Sequence, residues 1–352
     1  MIQKIRVLIV DDSAFMRKSL SILLESDPDI EIAGFARDGL EGYELAKILR
    51  PNIITLDIEM PRMDGLTALK KIMEDCPTSV LMISSLTTEG ADATLKALEL
   101  GAVDFIPKEM SFVSVNIVKI KEDLLRKVKT IARRRVFRPF SFQKTVEPQK
   151  KETAKLIEGN LPRIPYRALA LGISTGGPLS LQKVIPQFSE NIKFPIFLVQ
   201  HMPPKFTKSL AERLNGLSRL KVKEAEDGEK VNGGTVYLAP GGFHMKLKKT
   251  GVDVIIKITE DPAGTLHRPS VDVMMDSVVD VYGKFTLGLI MTGMGKDGLE
   301  GIRKLKQVGG FCIAQNEESC VVYGMPKAIV DYNFADVVAP LEEIANIINK
   351  VV

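Results

Sequence analysis

The stretch ALALGISTGGP, residues 168–178, decides the fold of the C-terminal half. An apolar run of strand length ends in Ser174, which sits among Gly172, Gly176 and Gly177, and a helical pattern follows. Strand, glycine-rich turn and helix form the repeating unit of a parallel sheet covered by helices. The alternation resumes with PIFLVQH, TLGLIMTG and GFCIAQN, each leading into a helical pattern. Between them GGTVYLAPGGFHMKLKKTGVDVIIKITE, residues 233–260, is rich in glycine turns and period-two alternation, which predicts an antiparallel insertion.

The N-terminal part repeats the same alternation five times, with VLIV, EIAGFA, NIITLD, SVLMIS and VDFIP as strands. In AFMRKSLSILLES, Met16, Leu20, Leu23 and Leu24 fall on one helical face. The expected architecture is α/β throughout: a domain over residues 1–125, a linker over 126–163 and a second domain over 164–352. The linker contains scattered prolines and few periodic apolar positions. It holds twelve Lys or Arg against three Glu, so the whole-chain charge of +4 leaves −5 for the rest. A basic surface for nucleic acid is therefore not expected on either domain, and the basicity reads as a solvated tether.

Apolar residues at 45% and charged residues at 26% fit a folded globular protein rather than a fibre or a disordered chain. No apolar run is long enough to span a bilayer. The start MIQKIRVLIVDDS reads as a first strand, without a secretory cleavage site, and a cytoplasmic protein with no membrane insertion is expected. Cys76, Cys312 and Cys320 lack metal-site spacing and are expected to be reduced packing residues.

Ligands of open parallel sheets bind beyond the carboxyl ends of the strands. In the first domain those ends carry Asp11 and Asp12, Asp57, Ser84 and Lys108. Each acid or hydroxyl alone would suit a helix cap. As a set, three carboxylates suit a hard cation such as Mg²⁺. One of them would then accept a phosphoryl group whose oxygens the lysine and hydroxyl hold.

This constellation resembles the receiver domain of bacterial response regulators, which implies a flavodoxin-like fold. The resemblance implies that Asp57 is the phosphoacceptor and that Asp12, Asp57 and the Glu59 carbonyl hold Mg²⁺, with Asp11 assisting. It implies that Ser84 and Phe105 are the switch pair and that Lys108 binds phosphate. Receivers usually have proline after that lysine, whereas here Pro107 precedes Lys108 and Glu109 follows.

A reactive serine needs a base, a group to orient that base, and oxyanion donors. Of the three histidines, His201 directly follows the strand PIFLVQ and so shares the sheet edge with Ser174. His244 falls in the insertion and is expected at the surface; His267 falls in LHRPSVD and is expected in a loop lining the site. Asp297 lies on the glycine-rich turn after TLGLI and is the candidate orienting acid. GISTG fits G-x-S-x-G, in which small neighbours permit a sharp turn that exposes the hydroxyl. Two other readings of the turn stand beside this one: a nucleotide-phosphate site, and a serine that only starts a helix. The first lacks G-x-G-x-x-G spacing, and the order Ser, His, Asp is not that of α/β-hydrolases.

GISTGGP, QHMP, HRPSVDV, MTGMGKDG and VYGMPKAI, in this order behind a receiver, resemble the chemotaxis response-regulator protein-glutamate methylesterase family. The resemblance implies a Rossmann-like hydrolase domain in which Ser174 is the nucleophile, His201 the general base and Asp297 its orienting residue. The Met294 amide is the implied oxyanion donor, and the Thr175 amide, next to the nucleophile, is a further candidate. The implied activity removes methyl esters from chemoreceptor glutamates, releasing methanol without a cofactor; relatives can also deamidate receptor glutamine. The implied partners are methyl-accepting chemoreceptor cytoplasmic domains and a chemotaxis histidine kinase. Phosphorylation of Asp57 is expected to relieve occlusion of the second domain's site by the first.

Two other classes share parts of the pattern. A phosphorylation-controlled transcription factor would need a helix-turn-helix where the second domain alternates α and β. A binding adaptor would keep the fold without needing Ser174.

Overall fold

The computed structural model describes residues 4–108, 117–132 and 164–350, and the chain divides into two compact units, Met1–Glu147 and Pro148–Val352. In the first, strands β1 (Ile5–Val10), β2 (Ile30–Ala36), β3 (Ile53–Asp57), β4 (Ser79–Ser85) and β5 (Asp104–Lys108) form one parallel sheet in the order β2-β1-β3-β4-β5. That order is flavodoxin-like and places the switch point between β1 and β3, beyond which their end residues project. Helices α1 (Ala14–Glu25), α2 (Gly39–Leu49), α3 (Gly65–Asp75), α4 (Thr88–Leu100) and α5 (Ile117–Ala132) connect and cover the strands.

Short side chains before α1, α2, α3 and α4 satisfy orphan amides at their starts. Ser13 accepts from Met16, Asp38 from Leu40 and Glu41, Asp64 from Thr67, and Thr87 from Gly90. On α1, Leu20, Leu23 and Leu24 are buried as the periodicity predicts, and Met16 is half-buried. Pro107 lies on β5, an edge strand, where a missing amide costs no ladder bond on the open side. Helix α5 runs on to Ala132, so residues 126–132 are helical rather than part of the expected linker. The remainder of that linker and Glu109 lie outside the described residues.

The second unit contains β6 (Ala168–Ile173), β7 (Ile196–Gln200), β8 (Lys221–Glu224), β9 (Thr235–Leu238), the pair β10 (His244–Thr250) and β11 (Asp253–Thr259), then β12 (Thr286–Ile290), β13 (Phe311–Gln315) and β14 (Val337–Ala339). Its helices are α6 (Gly177–Val184), α7 (Phe206–Leu217), α8 (Val271–Tyr282), α9 (Leu299–Gln307), α10 (Met325–Asp331) and α11 (Leu341–Lys350). Seven strands form a parallel sheet ordered β14-β13-β12-β6-β7-β9-β8. From β6 the chain fills one side of the sheet, then returns to lay β12 against the other flank of β6. The crevice beyond β6 and β12 is therefore the switch point.

The antiparallel insertion is smaller than the sequence suggests. Among the described strands β10 and β11 alone pair antiparallel, with His244 opposite Thr259 and a single antiparallel bridge from Lys230 to Ile255, while Thr235–Leu238 joins the main sheet as a parallel strand. All four residues of β9 are buried, so no alternation separates its two faces. One layer of the core lies against α8, where Phe197 stacks on Tyr237 and meets Met274, Met275 and Val278. Cys312 and Cys320 are buried and Cys76 is half-buried, and none of the three is in a disulfide.

Candidate active site and acidic pocket

Ser174 leaves β6 at the switch point, and its amide donates to the Thr292 carbonyl at the end of β12 (2.9 Å). Two glycines explain the turn. Gly176 has φ of +75°, a left-handed conformation that caps α6 at little cost only for glycine. At Gly172 a Cβ would come within 2.3 Å of Val271 Cγ1, so the bare backbone lets the start of α8 press onto β6. Gly172→Ala is expected to destabilise the protein by about 1–3 kcal/mol. Urea unfolding tests this, and an unchanged midpoint would mean that α8 can move aside.

His201 follows β7, and Asp297 lies in the turn between β12 and α9. The three side chains form one chain: His201 Nδ1 lies 3.1 Å from Ser174 Oγ, and Nε2 lies 2.7 Å from Asp297 Oδ2. An ionised carboxylate only accepts, so the ring proton sits on Nε2. The Nδ1 lone pair is thereby aimed at the serine hydroxyl. The ring nitrogens serve in the opposite order to the chymotrypsin arrangement, but the tautomer logic is the same.

Asp297 is held by the N-terminus of α8. Ser270 Oγ donates to Oδ1 (2.9 Å), the Val271 amide to Oδ2 (2.7 Å) and the Asp272 amide to Oδ1 (3.0 Å). Burial opposes the charge, but the His201 bond and these amides outweigh it and hold the carboxyl well below the usual carboxylate range. Asp272, half-buried beside that anion, is pushed up to about 7, loss of solvent being the larger cause and Asp297 the next.

The loop after β12 flanks Ser174. A Cβ on Gly293 would lie 2.9 Å from Ser174 Cβ, which places the half-buried Met294 one residue from that contact. The Gly293 amide donates to Val322 (2.9 Å), and the Gly293 carbonyl accepts from Gly324 (3.0 Å) and Met325 (2.9 Å). The VYGMP segment therefore locks this loop. Thr175 is buried, and its carbonyl accepts from Thr292 Oγ1 (2.9 Å).

In the first unit, one carboxylate oxygen from each of Asp11, Asp12 and Asp57 lies within 4.8 Å of the others. Lys108 Nζ stands 2.7 Å from Asp57 Oδ2 and 3.1 Å from Asp11 Oδ2. Neither of those buried oxygens has an aligned hydrogen-bond donor, and one ammonium offsets only one of three negative charges. The residues present thus fit a divalent cation with oxygen ligands. Glu59 is exposed two residues beyond Asp57.

Ser84 is fully buried and its hydroxyl faces α4, donating to the Gly90 carbonyl (3.1 Å) and accepting from Thr94 (2.7 Å). Phe105 is buried, with Lys127 Nζ 5.6 Å from its ring centroid.

The Asp57 carboxyl is pushed up to about 6, burial being the main cause, with Lys108 opposing it and Asp11 adding to it. Between pH 4 and 6 the folded protein therefore holds a proton that the unfolded chain has lost, so this group's contribution to stability falls as pH rises. In the presence of a chelator, Asp57→Asn is expected to stabilise the first unit at pH 7.5 by on the order of 2 kcal/mol, with no gain near pH 4. A melting transition lowered at pH 7.5 would contradict this.

A family model described as CheB methylesterase matches residues 169–348, and a response regulator receiver domain model matches residues 7–116. The chain belongs to the CheB methylesterase family. A protein-glutamate methylesterase/protein-glutamine glutaminase of Pyrococcus abyssi is 47% identical over 351 residues, covering 99% of this chain and 94% of the relative. One from Thermotoga maritima is 45% identical over 344 residues, covering 97% and 96%. The crystal structure of the Thermotoga maritima CheB methylesterase catalytic domain has a TM-score of 0.52 and 45% identity, covering 53% of this chain and 99% of that one.

Further residues shape this CheB-type site beside the three in the hydrogen-bonded chain. Gln200 is buried, and its Nε2 donates to the carbonyls of Ser174 (3.0 Å) and His201 (3.3 Å), tying two strand ends together. His267 stacks on His201 with ring centroids 4.1 Å apart, in keeping with a loop residue at the site. His244, expected at the surface, is instead fully buried. A histidine opening a strand whose other residues include Lys246, Lys248 and Lys249 reads as polar, and only the packing of β10 against α8 encloses it.

Proposed function

We propose that this protein is a phosphorylation-controlled protein-glutamate methylesterase of bacterial chemotaxis. The observation that carries this reading is the unbroken chain Ser174 Oγ, His201 and Asp297 at the switch point of the sheet. His201 Nδ1 takes the Ser174 proton as Oγ bonds to the carbonyl carbon of a glutamate γ-methyl ester on a chemoreceptor cytoplasmic domain. The amides of Met294 and Thr175 face the oxyanion. His201 returns the proton to the departing methoxide, methanol leaves, and water then cleaves the acyl-enzyme to free the carboxylate. The same steps applied to a receptor glutamine release ammonia.

Asp57 is the phosphoacceptor, with a chemotaxis histidine kinase as donor. Asp11, Asp12, Asp57 and the Glu59 carbonyl would hold Mg²⁺, which supplies positive charge against the phosphoryl oxygens. Lys108 then exchanges its contact with the carboxylate for one with the phosphoryl group, and Ser84 and Phe105 report the change to α4 and β5. No described helix is long and apolar enough to cross a membrane, and this reading places the protein in the cytoplasm beside its receptor substrate.

The test is methanol release from a methylated receptor cytoplasmic fragment, with and without a small phosphodonor and Mg²⁺. Release that rises with the donor in wild type but not in Asp57→Asn supports both halves of the reading. Absence of release under every condition leaves a binding adaptor as the better account.

A further inference from the structure

The proposed reaction uses His201 and leaves two histidines unused, His267 and His244, of which His244 is fully buried. Its ring contacts both ends of the segment that reaches the active site. The Ser270 amide lies 3.2 Å from Nδ1, and Thr265 Oγ1 lies 3.1 Å from Nε2. A backbone amide can only donate, so Nδ1 is unprotonated and the ring proton resides on Nε2. Nε2 therefore donates to Thr265. Two residues earlier, the Gly242 amide donates to the Arg268 carbonyl (3.1 Å), so the start of the hairpin fastens this loop at three points.

What the loop carries gives the contacts their meaning. His267, between the two anchors, is the residue whose ring stacks on His201. Ser270, whose amide His244 receives, donates through its hydroxyl to Asp297 and caps α8, whose amides hold the same carboxylate. One imidazole thus supports both the general base and its orienting acid.

We propose that His244 is a positioning residue for the Ser174, His201 and Asp297 set: accepting from Ser270 and donating to Thr265, it fixes the 265–270 loop against both His201 and Asp297. This rests on the proposed function. Burial is the main influence keeping the ring neutral, and the Arg268 and Lys246 charges add to it, against the Pro262 carbonyl and Asp297. A proton on Nδ1 would face the Ser270 amide and break the anchor.

The test uses the full chain and three variants: His244→Phe, which keeps ring volume but no polar atom; His244→Asn, whose Oδ1 replaces the Nδ1 acceptor; and Ser174→Ala as the blank. Expected for His244→Phe is a fall in kcat for methanol release of roughly 100-fold with KM little changed, because displacing catalytic groups by about 1 Å costs that much. Labelling of Ser174 by a fluorophosphonate, which forms the Oγ–P bond and expels fluoride, is expected to slow in parallel. His244→Asn is expected to recover most of both rates. Equal losses in the Phe and Asn variants, or a wild-type kcat in His244→Phe, would overturn the proposal.

Imidazole ¹⁵N spectra of the wild type supply a reading that does not depend on a variant folding. With three histidines in the chain, each is assignable, and His244 is expected as the Nε2–H tautomer at neutral pH. An Nδ1–H or doubly protonated ring there would also overturn the proposal. Failure of the wild type to release methanol would instead remove the proposed function, leaving the tautomer and labelling results to judge His244.

Discussion

Ser174→Ala should release methanol no faster than the bound ester hydrolyses unaided, a loss on the order of 10⁶ in kcat. The magnitude follows from geometry. The hydroxyl is the atom to which the His201 lone pair points, and no other hydroxyl or thiol is hydrogen-bonded to that nitrogen among the described residues. Removing Oγ leaves the His201 lone pair with only water to activate. The fold should be undisturbed, because the Ser174 contacts that hold the turn use its amide and carbonyl. Binding of the methylated receptor fragment should therefore persist at close to wild-type affinity. A mutant retaining a tenth of the wild-type rate would make the serine a structural residue and the whole reaction scheme wrong.

Asp297→Asn should reduce kcat by about 10⁴, as expected when the group orienting a catalytic imidazole loses its charge. Here the substitution has a second cost. The carboxylate accepts from His201, Val271, Ser270 and Asp272, with donors on both oxygens. Whichever way the amide is turned, its NH₂ group meets a fixed backbone N–H. With nitrogen toward His201, the ring must shift its proton to Nδ1 and can no longer accept from Ser174. With nitrogen toward Asp272, the end of α8 loses an acceptor. A loss of roughly 2 kcal/mol of stability should accompany the loss of rate. A variant with wild-type melting and a kcat within tenfold of wild type would show that the carboxylate serves neither purpose.

Much of this was legible in the sequence because burial on both faces writes strands as continuous apolar runs. VLIV, NIITLD and ALALGI needed no other signal, and the polar residues that ended them marked the sheet edges. The strand β8 did not declare itself: KVKE lies at the open edge of the sheet, where charged side chains, exposed at Lys221 and half-buried at Lys223 and Glu224, replace the apolar run. The strand β9 was hidden by its neighbourhood, since TVYL is followed at once by a hairpin with true alternation. Asp297 could be placed at the sheet edge from its position after β12, but three of its four donors come from the start of α8, in another segment of the chain. Gln200 and His244 act through contacts between segments that carry no spacing signal. What one sequence displays is the order of elements; which loop closes over which end depends on packing.

The order in which the chain lays down its second sheet has a consequence for synthesis. Ser174 and His201 directly follow the neighbouring strands β6 and β7, and are made early in this unit. Asp297 arrives only after β12 has crossed back to the opposite flank, and the segment that locks the Gly293 loop, residues 322–325, follows later still. A ribosome that stalls between the two would release a protein carrying serine and histidine side by side but no anion to orient them. Products that end before Asp297 would thus lack the carboxylate that fixes the imidazole, and with it a factor of about 10⁴ in rate.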